Sequence, residues 1–218
     1  MPLRALLLDL DGTLATSLPV MVASYEAFLG SFGVTPTKDE FDSLNGPSLL
    51  EIVRILKERH RLPGAPEDLF ARYLSIIENR YPEGVAPADG ARELIDKARA
   101  RGLELALVTS SGRAMASGFL ERHGLAPLFD ALVTAEDVSS GKPNPECYRV
   151  ALERLGIVAA EALVVEDSLF GVRAATGAGI RTFALDPDER LALGDMPLAR
   201  RVRDLHEAAQ FLDEHGDG

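Results

Sequence analysis

The stretch LLLDLDGTLAT, residues 6–16, decides how the rest of the chain is read. Leucines run without alternation into Asp9 and Asp11, and Gly12 and Thr13 follow at once. An apolar run of this kind reads as a strand covered on both faces, which is the habit of parallel sheets. The strand delivers two carboxylates to its carboxyl end, and Asp-Gly then turns the chain away.

Working outward, similar apolar stretches recur at 103–108 (LELALV), 131–133 (ALV) and 162–165 (ALVV), and a fifth strand is expected at 180–185. Between the later strands, helical patterns occupy about 90–100, 113–123, 145–155 and 169–178. Strands alternating with helices make a βαβ series. The first strand stands apart, because the interval before the next one reads as four helices near 18–32, 37–44, 48–60 and 66–80. That helical insertion ends in YPEGVAPADG, residues 81–90, whose prolines and glycines punctuate the chain as a linker does. The other crossing is the loop from Gly12 to Ser17, and the two crossings suggest a lid that can hinge. The tail, DLHEAAQFLDE at 204–214, reads as an amphipathic helix lying on the core.

Composition narrows the class. A chain of 218 residues with 46% hydrophobic and 26% charged residues can bury an enzyme-sized core, and no apolar run is long enough to span a membrane. The N-terminal segment lacks the pattern of a signal peptide, so the cytoplasm is the expected location. A formal net charge of −11 repels nucleic acid backbones and anionic membranes, and neither is expected as a partner. The single Cys147, among apolar neighbours, reads as a buried structural thiol.

Polar residues follow three of the strands: Asp9 and Asp11, then Thr109, Ser110 and Ser111, then Glu166, Asp167 and Ser168. Ligands bind at this edge of an open parallel sheet. Lys142, in the loop SSGKPNPECY after the third strand, can point into the same crevice. Asp9 and Asp167, supported by Glu166, are hard oxygen ligands suited to Mg²⁺, and without a cation such carboxylates would raise one another's pKa. Thr109, the Ser110 N–H and Lys142 could then grip a phosphoryl group. Each motif taken singly also reads as a turn or a helix cap. Their placement after successive strands, in this order, favours a site.

These residues resemble the four motifs of the haloacid dehalogenase superfamily: DLDGTL at 9–14, Thr109 after LELALV, Lys142 in GKPNPECY, and VVEDSLFGVRAA at 164–175. The fourth is most similar to that of the β-phosphoglucomutase-like branch. The resemblance implies an α/β fold with a Rossmann-like parallel-sheet core and a helical C1 cap domain inserted after the first strand. Residues 1–16 and 88–218 would form the catalytic core, and 17–87 the cap. It further implies that Asp9 is the nucleophile, giving an aspartyl phosphate, and that Asp11 is the general acid and then the base. Asp9, the Asp11 backbone carbonyl and Asp167 would bind Mg²⁺, with Glu166 as a further ligand or a partner behind the ligands. Thr109, Ser110 and Lys142 would hold the transferring oxygens. Retention of Asp11 favours an oxygen leaving group over halide, which needs no proton. Where relatives often carry Val-Asp-Ser, this chain has Ala15-Thr16-Ser17, so a hinge-loop carboxylate is replaced.

The expected function is therefore a Mg²⁺-dependent phosphatase for a small phosphorylated metabolite, working as a monomer or weak homo-oligomer. A phosphomutase of the β-phosphoglucomutase type and a non-catalytic metabolite-binding module are the alternatives. A mutase cap should carry a cation for the distal phosphate and a polar group that restrains Asp11. The matching places here are Leu49 and Met21, both apolar, with Leu18 nearby. These three are the candidate specificity residues, and they also read as cap core at helical spacing. A cation could come from another turn only through Arg54 or Arg72. A phosphonate hydrolase would need a cap lysine, for which only Lys38 and Lys57 are available. His60, His123, His206 and His215 are scattered and suit surface or capping roles.

Overall fold

A computed structural model describes residues 2–44 and 47–214, so His215 lies outside the described residues. Its centre is a six-stranded, all-parallel sheet built from β1 (Ala5–Leu8), β2 (Glu104–Val108), β3 (Ala131–Val133), β4 (Ala162–Glu166), β5 (Arg181–Leu185) and β6 (Ala199–Val202). Strand order is β3-β2-β1-β4-β5-β6, which makes the gap between β1 and β4 the place where the winding reverses. Among the described residues no helix is long and apolar enough to cross a membrane.

The unbroken apolar strands sort into two faces. Leu6, Leu8, Leu105, Leu107, Leu163 and Val165 join one cluster, with residues of α5 (Ala91–Ala100), α6 (Arg113–Arg122) and α9 (Leu205–Glu214). Ala5, Leu7, Ala106, Val108, Ala162 and Val164 join the other, against α7 (Glu146–Leu155) and α8 (Leu169–Gly177). The period-2 geometry of a strand buried on both sides accounts for the split. β6 escapes a search for apolar runs because its sequence is ARRV; charged residues suit an edge strand.

Between β1 and β2 lie α1 (Leu18–Gly30), α2 (Lys38–Asp42), α3 (Leu49–His60) and α4 (Pro66–Gly84). Phe28 of α1 stacks on Tyr73 of α4 with ring centroids 4.5 Å apart. A second tie is polar: Glu40 of α2 accepts from the Tyr25 hydroxyl at 2.6 Å and meets His60 Nε2 at 2.9 Å and Arg59 at 3.3 Å. One boundary differs from expectation. Residues 81–84 are the last turn of α4 rather than linker, and Pro82 sits inside the helix. The proline forfeits one bond of the helical ladder, while Tyr81, 2% exposed, anchors the turn by burial.

The two crossings pair with each other. Ala15 bridges Pro87, the Ala88 N–H donates to Leu14 O, and Thr16 donates to Ala86 O from both its N–H (2.9 Å) and its hydroxyl (3.0 Å). Thr16 thus replaces the missing carboxylate with a direct tie across the crossings.

Candidate active site

Register explains how the carboxylates arrive. Leu8 lies beside Leu107 of β2 and Val165 of β4, so Asp9, Glu166 and, one residue further along its strand, Thr109 come to one rim. Asp9 stays in the ladder, its N–H donating to Val165 O at 3.1 Å, and Thr109 does the same with Val133 O at 2.9 Å. Gly12 then turns the chain with φ +92°, and a Cβ there would lie 2.1 Å from Asp167 Oδ2. Only glycine lets the first loop approach the fourth strand so closely. Gly171 serves the same purpose in α8, where a Cβ would fall 1.7 Å from Glu166 Oε1.

Lys142 reaches the centre of this rim. Its ammonium donates to Asp9 Oδ1 at 2.6 Å, to Glu166 Oε1 at 2.5 Å and to Val108 O at 3.1 Å, and it lies 5.4 Å from the Tyr148 ring centroid. Burial opposes its charge, but Asp9 and Glu166 outweigh that penalty and hold the lysine pKa well above its usual value. Glu166 is wholly enclosed. Its Oε1 also accepts from the Tyr148 hydroxyl at 3.3 Å, and its Oε2 accepts from the Ser168 N–H and hydroxyl, both at 3.0 Å. Its two oxygens are therefore committed to protein donors.

Asp9, Glu166 and Asp167 can bring ligand oxygens within 4.8 Å of one another. Burial drives the Asp9 carboxyl well above its ordinary pKa; Glu166 and Asp167 add to the rise and Lys142 counters it. Burial and the Glu166 charge push Asp167 up to about 7, against a weak bond from the Thr13 hydroxyl at 3.3 Å. This crowded, buried negative charge fits a small divalent cation bound by Asp9 and Asp167. Thr109 is buried beside the lysine and its Oγ accepts from the Ser111 N–H at 3.0 Å; Ser110 is partly buried at the same rim.

Asp11 stands differently from the other acids. Its Oδ2 accepts from the Ser111 hydroxyl at 2.5 Å and its Oδ1 from the Tyr81 hydroxyl at 2.8 Å. Burial, the Asp11 charge and the hydrogen bond to Asp11 raise the Tyr81 phenol far above its usual pKa, so it remains a donor. Tyr81 escaped the sequence reading because its neighbours Pro82 and Gly84 read as linker, and nothing local announces a contact with Asp11, 70 residues away in sequence. A polar restraint on Asp11 thus exists after all. It comes from α4 rather than from the Met21 position on α1.

The cap candidates separate. Leu18 is 60% exposed, while Met21 and Leu49 lean against the main apolar cluster. The Arg72 guanidinium lies over the Phe32 ring, 4.6 Å from its centroid, and Arg54 lines a surface hollow with Lys57, Glu58, Arg61 and Leu62. Lys38 pairs with Asp42 at 2.5 Å, and Lys57 closes the end of α3 by donating to Leu62 O and Gly64 O. His60, His123 and His206 are likewise engaged, with Glu40, Val85 O and Glu93. Cys147 is buried, and burial pushes its thiol up to about 11, as suits a structural residue.

Known proteins resemble the chain in sequence and in fold. The chain is 32% identical over 178 residues to the phosphorylated carbohydrates phosphatase of Thermotoga maritima, covering 82% of each chain. It is 31% identical over 220 residues to hexitol phosphatase A of Escherichia coli, covering 98% of this chain and 97% of that one. The crystal structure of CbbY from Rhodobacter sphaeroides in complex with phosphate superposes with a TM-score of 0.80 at 26% identity, covering 94% of this chain and 96% of that one. Residues 6–185 match the family described as haloacid dehalogenase-like hydrolase, and the chain belongs to that family.

Proposed function

We propose that the chain is a Mg²⁺-dependent phosphatase that hydrolyses a small phosphomonoester through an aspartyl phosphate on Asp9. The observation that carries this reading is the Lys142 ammonium, buried and bonded at once to Asp9 and Glu166. A structural ion pair at a sheet rim does not need a third acid at Asp167, whereas phosphoryl transfer does. Asp9 attacks phosphorus while Thr109, the Ser110 N–H and Lys142 hold the non-bridging oxygens. Asp11 protonates the departing alkoxide and afterwards takes a proton from the water that attacks the intermediate. Asp9, the Asp11 carbonyl and Asp167 would hold Mg²⁺, which neutralises charge on the phosphoryl oxygens. With both oxygens already satisfied, Glu166 acts behind the ligands by fixing Lys142.

Residues 17–87 form the cap and close over the rim on the paired crossings at 12–17 and 85–90. Relatives named phosphorylated carbohydrates phosphatase and hexitol phosphatase A support a sugar or polyol phosphate with one phosphate as the substrate class. The mutase reading needs a distal cation, and Arg72 is engaged with Phe32 while Leu49 occupies the expected place. A panel of sugar, polyol and glycolyl phosphates assayed with Mg²⁺ should release inorganic phosphate. β-Glucose 1-phosphate with its bisphosphate primer should give no glucose 6-phosphate. Efficient isomerisation with little phosphate released would overturn the reading.

A further inference from the structure

Among the described contacts, Asp11 is the acid at the rim that is held both by a loop of the sheet and by the helical unit. Ser111 reaches it from the loop after β2, whereas Tyr81 reaches it from the last turn of α4. Each hydroxyl takes a different carboxylate oxygen, so together they set the torsion of the side chain. Neither donor is loose. Tyr81 is 2% exposed, and α4 is pinned one and two turns earlier by Ile77 and by Tyr73 stacked on Phe28. The backbone beneath Asp11 has little freedom either, since Gly12 turns at once and its N–H donates to Ala15 O at 3.0 Å.

We propose that Tyr81 is a positioning residue for Asp11, aiming the proton-transferring carboxylate at the bridging oxygen of the substrate only while the last turn of α4 is seated on the rim. The inference rests on the reading of Asp11 as acid and base given above. Its physical basis is that a carboxylate on a turn, left with one donor, samples several rotamers. A misplacement of about 1 Å at a proton-transfer site costs on the order of 100-fold in rate. The hydroxyl also gives α4 a polar contact with the catalytic rim, so movement of the helical unit withdraws the restraint. Burial of the phenol needs some partner in any case, and a hydrogen bond made only for that purpose would leave catalysis indifferent to it.

The leaving group separates the two. Departure of an alkoxide requires a proton from Asp11, whereas p-nitrophenolate leaves with little help, and kcat/KM reports that first step. Tyr81→Phe keeps the buried ring and removes only the hydroxyl. We expect it to lower kcat/KM roughly 10- to 100-fold for the best alkyl phosphate of the panel and less than about 3-fold for p-nitrophenyl phosphate. The loss should fall on kcat, with KM near that of the parent. Ser111→Ala should show the same bias and provides a second reading if Tyr81→Phe folds poorly. Asp11→Asn is the reference. If it is biased against the alkyl ester while Tyr81→Phe and Ser111→Ala are not, the positioning role is wrong and the acid assignment stands. Equal losses on both esters in the Tyr81 and Ser111 variants also overturn the positioning role. If Asp11→Asn itself shows no bias, the acid assignment falls and the inference falls with it.

Discussion

The rim of the sheet and the helical unit above it use polar residues in opposite ways. At the rim, Asp9, Lys142 and Glu166 are buried and Asp167 is partly buried beside them, with unequal compensation, and two of the acids are pushed above their ordinary pKa. In the helical unit the main polar cluster, Tyr25, Glu40, Arg59 and His60, compensates itself: hydrogen bonds to Tyr25, His60 and Arg59 hold Glu40 below its ordinary pKa although burial opposes them. The first is strained electrostatically and would be relieved by a divalent cation. The second is at rest and holds helices together. The contrast teaches that charge left in need of a ligand marks the site, and that the helical unit touches the chemistry through Tyr81 alone among the contacts described.

The largest break in that contrast should come from Asp9→Asn, which keeps the shape of the side chain and removes the proposed nucleophile. Turnover should fall roughly 10⁶-fold, as when the nucleophile of a catalytic unit is lost, with circular dichroism and thermal unfolding close to the parent. Near-normal phosphate release from this variant would refute the nucleophile assignment.

Next comes Gly12→Ala. The added methyl overlaps Asp167 in a backbone conformation that side chains avoid, so the first loop and the fourth strand must part. A loss on the order of 100-fold in kcat/KM is expected, with a weaker response to Mg²⁺ titration. An unchanged Mg²⁺ dependence would show that Asp167 is not held by this approach.

The third test sharpens the electrostatic side. In metal-free protein Asp167 has a pKa of about 7 against its ordinary 3.8, so between those values the folded chain keeps a proton that the unfolded chain has released. Above the ordinary carboxylate range, in which Glu40 and the other acids that the fold holds low contribute the opposite slope, stability should therefore fall as pH rises from about 5 to about 7, and the raised Asp9 adds to the fall. Mg²⁺ should flatten the slope and add about 2.7 kcal/mol at a hundredfold excess over its dissociation constant. Thermal unfolding across this pH range, in EDTA and in Mg²⁺, measures both. A metal-free melting temperature that climbs through the window would contradict the assignment.

The smallest effect should come from the resting cluster. Glu40→Ala leaves the Tyr25 hydroxyl with only long bonds to Thr37, donating to its O and accepting from its N–H, both at 3.4 Å. It should cost about 1–3 kcal/mol in chemical denaturation and leave kcat within a few-fold of the parent. A large loss of kcat would mean that the helical unit is coupled to the chemistry by more than Tyr81.

Much of this was legible from residues 6–16 outward, because the determinants of the core are local. Strands buried on both faces announce themselves as apolar runs, and the polar residues that end them share a rim once the strands are parallel. Asp9, Thr109, Lys142, Glu166 and Asp167 could therefore be placed before any coordinates. β6 was missed because an edge strand reading ARRV makes no apolar run, and the end of α4 was misread because Pro82 and Gly84 look like linker whether or not burial of Tyr81 carries the helix past them.

What the sequence determined by itself was the parallel core, the helical insertion and which polar residues gather at one rim, all of which follow from periodicity and from what ends each strand. Only the tertiary structure decided that Glu166 spends its oxygens on Lys142, Tyr148 and Ser168, that Leu18 stands apart from Met21 and Leu49, and that Tyr81 holds Asp11. These are contacts between side chains distant in the chain. Their geometry depends on how helices pack against a sheet edge, and no local pattern encodes it.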